Sequence, residues 1–416
     1  MVAPNEEGRR AAPPLAQPET AIEAGDQETP HGPVWVASAL YPDLYRHGRV
    51  HVTTARAWDA AGLAWVALEP RAGALGLERW AFVDVETTGL GARAGTVAFL
   101  VGIGWMEPGG FRVEQILERD PADERALLHA VGARLRAFQG IVTFNGKAFD
   151  LPVLETRYAL SQLEVAHGDL VHCDLLHAAR RLWAERLQSC RLVALEREVL
   201  GLRRTGDLDG RLVPDAYLDY LRSGDGAILD PVLAHNRADL LSLLLLGAEA
   251  GRFLARARSA SEERRPRDAA ACAADLLVAA RVLYRAGEGS AAAELLDRCL
   301  GGLPTPPVRM AARELLAYIR KRQGALADAC RLWEEQLDDD PTLVTPVEEL
   351  AKVDEHRRHD LVRALARVES RLGNAALDAG SEAALLHRRM RLVRKLGLAG
   401  TGDAAGVPLW QPEGPP

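Results

Sequence analysis

The chain has 416 residues, 48% apolar and 26% charged, with a formal net charge of −7. Such proportions describe a globular protein with room for two domains and a tail. They exclude a helical membrane protein, since no apolar run reaches the roughly 18–20 residues of a span, and a disulfide framework, since five cysteines (173, 190, 272, 299, 330) lie scattered with no C-x-x-C pair. Reduced thiols, the lack of a signal-peptide pattern and the absence of an apolar span point to a cytoplasmic protein. The negative charge does not exclude nucleic acid, because the local field over a cleft outweighs the sum. Of 51 basic residues, four are lysine (147, 321, 352, 395). Arginine is the default cation, so a lysine inside a motif is informative.

Residues 1–33 carry six prolines and six acids with almost no large apolar side chain, the composition of a disordered, solvated tail. Residues 34–79 alternate short apolar runs with turn signals. They are expected to pack on the main domain as a few strands or short helices. Within them Tyr45-Arg46-His47-Gly48 reads first as a turn and second as a loop facing a ligand. From Trp80 the pattern sharpens: strands over 81–85, 96–106 and 111–117, the last two separated by the turn Pro108-Gly109-Gly110. Asp120-Pro121 opens a helix with the apolar face Leu127, Leu128, Val131, Leu135 and Phe138. A strand at 141–144, a helix over 148–160, a short strand near 170–173 and a helix over 174–187 follow. The order predicts an α/β domain over 80–258, a mixed ribonuclease-H-like sheet flanked by helices.

Beyond a charged hinge at 261–267 the pattern is helical. Leu283-Tyr284-Arg285-Ala286-Gly287 is followed by Ala292, 319–324 by Ala329, and 356–359 by Ala364, with offsets of 37 and 35 residues. Small residues at a fixed period let paired helices approach, as in helix–turn–helix solenoids. Residues 267–398 therefore resemble tetratricopeptide repeats, whose usual ligands are protein partners. An ordinary helical bundle is the alternative. Residues 399–416 read as a flexible tail.

The chemistry is concentrated in three stretches. Trp80-Ala81-Phe82-Val83-Asp84-Val85-Glu86-Thr87-Thr88-Gly89-Leu90 starts apolar and sets Asp84 and Glu86 on one strand face. Adjacent carboxylates in apolar surroundings call for a cation, and Mg²⁺ or Mn²⁺ suits oxygen ligands; a solvated rim is the alternative. Thr143-Phe144-Asn145-Gly146-Lys147-Ala148-Phe149-Asp150 links a strand to a helix. Asp150 there is equally a first-turn residue favoured by the helix dipole, while Asn145 and Lys147 are placed to meet a ligand. In Asp230-Pro231-Val232-Leu233-Ala234-His235-Asn236-Arg237-Ala238-Asp239-Leu240, His235 and Asp239 share a helix face one turn apart. Taken alone, His235 reads first as a half-buried partner of Asp239. Four carboxylates and a histidine have a joint use: two divalent ions to activate water and stabilise the leaving oxygen in phosphodiester cleavage, and an imidazole to take the proton. Between 180 and 204, seven arginines against three acids leave +4, a surface suited to a phosphate backbone. Asp174 reads as a helix cap.

The phrases F-V-D-V-E-T-T-G-L, T-V-A-F-L-V-G-I-G, V-T-F-N-G-K-A-F-D-L-P, C-D-L-L-H-A-A-R-R-L-W, S-C-R-L-V-A-L-E-R-E-V-L-G and H-N-R-A-D-L-L-S-L resemble the DEDD superfamily of 3′–5′ exonucleases, and more closely the bacterial YprB-type ribonuclease-H-like family. They cover about 80–246. The resemblance implies metal ligation by Asp84, Glu86, Asp150 and Asp239, His235 as general base, and Thr88, Gly89 and Leu90 near the terminal nucleotide. The His-to-Asp step of four departs from the five of the family's histidine branch. The expected activity is a metal-dependent 3′–5′ exonuclease on a single-stranded DNA or RNA end. The alternatives are a structure-selective or ribonuclease-H-like endonuclease, and a non-catalytic scaffold.

Overall fold

The computed structural model describes residues 21–89, 95–259, 269–373 and 377–397. The chain divides into two compact units, 1–259 and 260–416. The first is built on a seven-stranded sheet. Its strands are β1 (Ile22–Thr29), β2 (Gly32–Pro42), β5 (Trp80–Thr87), β6 (Ala98–Glu107), β7 (Gly110–Leu117), β8 (Gly140–Thr143) and β9 (Val171–Asp174), in the order β1-β2-β7-β6-β5-β8-β9. β3 (Arg46–His47) and β4 (Val50–His51) form a separate two-residue ladder. β5, β6 and β7 meander antiparallel, whereas β5-β8-β9 pair in parallel and need crossovers. Helix α2 (Glu124–Leu135) leads from β7 to β8, and α3 (Asp150–Leu160) leads from β8 to β9.

The alternation of β5 decides what each face meets. Ala81, Val83 and Val85 enter an apolar core with Leu127, Leu128 and Val131 of α2 and Val153, Leu154 and Tyr158 of α3. The other face starts with Trp80 and Phe82, whose rings contact Trp58; it ends with Asp84 and Glu86. Helix α7 (Asp230–Ser259) covers this second face together with α1 (Ala60–Ala67) and α4 (Leu175–Trp183). Its solid leucine run, Leu240, Leu241 and Leu243 to Leu246, is buried. Short α5 (Leu192–Leu195) and α6 (Val213–Ser223) complete the unit, with Tyr217 of α6 stacked on Phe99 at 4.0 Å between ring centroids.

Two expectations change at the amino-terminal side. The disordered tail expected to residue 33 contains strand β1 and the start of β2. β1 is a sheet edge whose side chains are mostly exposed; its backbone pairs with β2, Asp26 pairs with Arg119 and Gln27 Oε1 accepts from Arg134 Nη2 at 2.7 Å, and its polar composition suits an edge facing water. Residues 1–20 and 399–416 of the expected tails, and the expected hinge at 261–267, lie outside the described residues. Within the Tyr45–Gly48 stretch, Arg46 and His47 form β3 and Gly48 opens the turn of the small ladder. His47 is buried, its Nε2 2.7 Å from Ser242 Oγ on α7. Gly48 has φ +68, and a Cβ there would overlap the carbonyl of Leu200.

The second unit is helical: α8 (Ala269–Arg285), α9 (Gly289–Gly301), α10 (Pro306–Arg322), α11 (Leu326–Asp339), α12 (Thr345–Val353), α13 (Leu361–Gly373) and α14 (Ala379–Lys395), each packed on the next. Turn residues with positive φ stand at Gly287, Gly324 and His359, reproducing the 37- and 35-residue offsets read from the sequence. Ala292, Ala329 and Ala364, five residues after each turn, are fully buried. A buried alanine lets the second helix of each pair approach the first. Among the described residues no helix is long and apolar enough to cross a membrane.

Candidate active site

Three elements deliver the acids to one place. Asp84 and Glu86 come from the carboxyl end of β5, where the register with β6 shifts between Glu86 and Thr87. Such an irregularity bends a strand end and re-aims its side chains. Beyond it, Thr88 N donates to Val97 O at 3.0 Å, and Val97 N donates back to Thr88 Oγ1 at 3.0 Å. Gly89 carries the carbonyl that accepts from Thr87 Oγ1. Leu90 lies outside the described residues.

Asp150 is the first residue of α3 and is buried. The turn before it is held by Asp174 at the end of β9. Asp174 Oδ1 accepts from Asn145 N at 2.8 Å and from Leu176 N at 3.0 Å, and Oδ2 accepts from Lys147 N at 3.1 Å. One carboxylate therefore caps α4, as expected, and also fixes the 145–147 turn. Asn145 sits at φ +66, a left-handed conformation that asparagine tolerates better than most residues. The Lys147 side chain is exposed, and its charge acts on His172, Cys173 and Glu69.

Asp239 and His235 come from α7. Between them, Asn236 is fully buried and turned to the sheet. Its Nδ2 donates to Asp84 Oδ2 at 2.8 Å, and its Oδ1 accepts from Gln115 Nε2 at 2.9 Å. Gln115 Oε1 in turn accepts from Arg237 Nη1 at 2.7 Å. The chain from β7 through α7 thus fixes one oxygen of Asp84. Space for it comes from Gly102, opposite Asp84 on β6: a Cβ there would overlap Asn236 Oδ1. Gly102→Ala is therefore expected to displace Asn236 and cost about 1–3 kcal/mol, read as a lower thermal midpoint. The same variant should lose activity, while alanine at the open Gly95 should change neither.

The carboxylates feel one another. Burial, then the Asp239 charge, pushes the Asp84 pKa up to about 7. Glu86 is raised well above its ordinary value by burial and then by Asp84, Asp239 and Asp150. Asp150 is raised by burial, then by Asp84 and Asp174. Mutual elevation of this kind marks negative charge without enough compensation. A cation reaches the group: Arg204, 8% exposed, donates through Nη2 to Asp239 Oδ1 and Glu196 Oε1. Its Nη1 donates to Asp207 Oδ2 at 3.1 Å.

His235 Nδ1 lies 2.9 Å from Asp207 Oδ1. That contact assigns the ring proton to Nδ1 and leaves the Nε2 lone pair open, 3.8 Å from Asp239 Oδ2. Arg204 Nη1, 3.4 Å from Nδ1, is then a charge neighbour rather than a hydrogen-bond partner. Burial works against the charged imidazole, but Asp239 and then Asp207 outweigh it and raise its pKa.

A cavity of about 540 Å³ opens on this group, lined by Asp84, Asn145 and Asp239 together with Arg180, Cys190 and Arg191. Of the seven arginines counted at 180–204, Arg204 is buried in the acid network, Arg181 donates to Val66 O, and Arg197 pairs with Glu198. Arg180 and Arg191 face the cavity. Among the described residues no three His, Cys, Asp or Glu side chains close on one point as metal ligands. The donor set nonetheless fits a hard divalent ion: it is all oxygen, buried at Asp150 and half-buried at Asp84, Glu86 and Asp239, and short of positive charge.

A family model described as RNase_H superfamily matches residues 81–250. Uncharacterized protein YprB of Bacillus subtilis (strain 168) is 31% identical over 363 residues, spanning 85% of this chain and 84% of that one. The chain belongs to the YprB family of the RNase_H superfamily. Its sheet, mixed and flanked by helices, has the architecture that the superfamily implies, with a nuclease-type domain followed by helices. In this YprB-family chain the matched segment contains Asp84, Glu86, Asp150, His235 and Asp239, together with Asn236, Arg204 and Asp207. The last three were not among the residues singled out from the sequence. Asn236 stands inside the His235–Asp239 motif and was legible there as a polar residue facing a buried sheet. Arg204 and Asp207 stand in an irregular stretch that gives no such signal.

Proposed function

We propose that the first unit is a metal-dependent 3′–5′ exonuclease acting on single-stranded DNA or RNA, with two Mg²⁺ or Mn²⁺ ions held by Asp84, Glu86, Asp150 and Asp239. The observation that carries the reading is the grouping of Asp150, buried, with Asp84 and Glu86, half-buried, which raise one another's pKa, beside a cavity that Asp84, Asp239, Arg180 and Arg191 line. When bound, such ions supply positive charge to an attacking water and to the leaving oxygen. His235, held through Nδ1 by Asp207, offers Nε2 to the water proton when the ring is neutral. Asn236 keeps Asp84 in a fixed rotamer. Arg180 and Arg191, which line the cavity, hold backbone phosphates, and Thr88, Gly89, Leu90, Asn145 and Lys147 are the nucleotide-binding residues of this reading. The second unit is a tetratricopeptide-like array that docks a protein partner.

End-labelled single-stranded DNA and RNA with Mg²⁺ or Mn²⁺ test the exonuclease directly, with circular forms beside them. A stepwise ladder from the 3′ end is the expected result. Cleavage of circles supports the endonuclease reading, which uses the same acids. Arg180→Ala with Arg191→Ala should raise KM by roughly tenfold with little change in kcat. It should also reduce the slope of log affinity against log salt by about 0.7 for each phosphate that is no longer neutralised.

A further inference from the structure

Arg204 belongs to no motif, yet it is the most heavily engaged side chain around the acids. Its Nε donates to Glu196 Oε2 at 3.0 Å and its Nη2 to Glu196 Oε1, a two-pronged hold on a carboxylate that is 1% exposed. Glu196 is anchored in turn. Its Oε1 also accepts from Ser242 Oγ on α7, and Ser242 Oγ accepts from His47 Nε2 of the small amino-terminal ladder. Arg49 N of that ladder donates to Leu200 O at 2.8 Å. A Cβ at Gly201 would overlap the Arg49 side chain. The stretch that carries Arg204 and Asp207 is therefore clasped from two sides. From that clasp, Arg204 reaches Asp239 through Nη2 and Asp207 through Nη1, and Asp207 holds His235.

We propose that Arg204 is a positioning residue that acts as the resident counter-ion of the acidic centre: tethered by Glu196, it holds Asp239 and, through Asp207, His235, and a divalent ion must compete with it for Asp239. The inference rests on the metal-centre reading above. Its physical basis is that a guanidinium with a fixed buried tether cannot leave with the arriving ion. Arg204 can give up its bond to Asp239 and still keep Glu196 and Asp207. The centre is thus ordered without metal, and its affinity for metal is held down by a neighbouring positive charge. A residue that merely braced the fold would have the opposite signature: its removal would loosen the ligands and weaken metal binding.

The test is Mn²⁺ titration of the full chain, following free Mn²⁺ by electron paramagnetic resonance, for wild type, Arg204→Met and Arg204→Lys. Arg204→Met is expected to unfold at lower temperature without metal and to bind Mn²⁺ about tenfold more tightly, the scale of one unit charge removed from beside a divalent ion in a water-like dielectric. Arg204→Lys keeps the charge and should stay near the wild-type affinity. Equal or weaker binding by a folded Arg204→Met overturns the inference while leaving the metal centre standing. No Mn²⁺ bound by wild type overturns both. Should Arg204→Met fail to fold, the wild type alone decides. The arginine Nε resonance that is missing in Arg204→Lys must shift on adding Mg²⁺, and an unmoved resonance at saturating Mg²⁺ overturns the competition.

Discussion

Asp84→Asn is expected to abolish cleavage and, in the same protein without metal, to raise the thermal midpoint. The two effects have one cause. Burial and the charge of Asp239 push the Asp84 pKa from 3.8 up to about 7, so the folded state holds this proton longer than the unfolded chain does. Between those values the native state binds more protons, and stability falls as pH rises. Above pH 7 the charged Asp84 opposes folding in full, by an amount on the order of a few kcal/mol. Asparagine removes that opposition while its side-chain oxygen still accepts from Asn236 Nδ2. A gain of roughly 5–10 °C at pH 8 follows for a unit of this size. Glu86 and Asp150, raised by the same field, make the metal-free wild type less stable at pH 8 than at pH 6, and Mg²⁺ should flatten that dependence. Calorimetric scans with and without Mg²⁺ read all of this. A midpoint that falls in Asp84→Asn would mean that the carboxylate is compensated already.

His235→Ala is expected to lower single-turnover cleavage by about 10²–10⁴-fold, the usual contribution of a positioned base, with Mn²⁺ affinity almost unchanged. Asp207→Asn acts on the same proton transfer from one step back. With Nδ1 no longer held by an anion, the ring loses its fixed tautomer, and a loss of about 10–100-fold follows. Because both substitutions break one unit, the double variant should be little slower than His235→Ala alone. Additive losses would separate Asp207 from the histidine and assign it to the Arg204 charge network instead.

Much of this site was legible along the chain because it is written in local periodicity. The period-two alternation of β5 places Trp80, Phe82, Asp84 and Glu86 on one face, and α7 packs against that strand. The four-residue step from His235 to Asp239, at the edge of a leucine run, places both beside the sheet. In the second unit, the small-residue repeat marks the turns at Gly287, Gly324 and His359. What the chain could not disclose depends on tertiary closure. Arg204 counts as one more cation in a basic stretch until Glu196, Asp207 and Asp239 are seen around it. Gly102 is one glycine in an apolar run until Asn236 is found against it. Strand β1 has the composition of a tail, yet its backbone pairs with β2 and its Asp26 and Gln27 meet Arg119 and Arg134.

The most direct measurement compares wild type and Asp84→Asn on 5′-labelled single-stranded DNA and RNA in chelator, Mg²⁺ and Mn²⁺. The account predicts shortening from the 3′ end by wild type in a divalent metal only, and no product from an Asp84→Asn protein that is folded and more stable than its parent. Cleavage in chelator, cleavage by Asp84→Asn at the wild-type rate, or a wild type inert on both nucleic acids in both metals would contradict it.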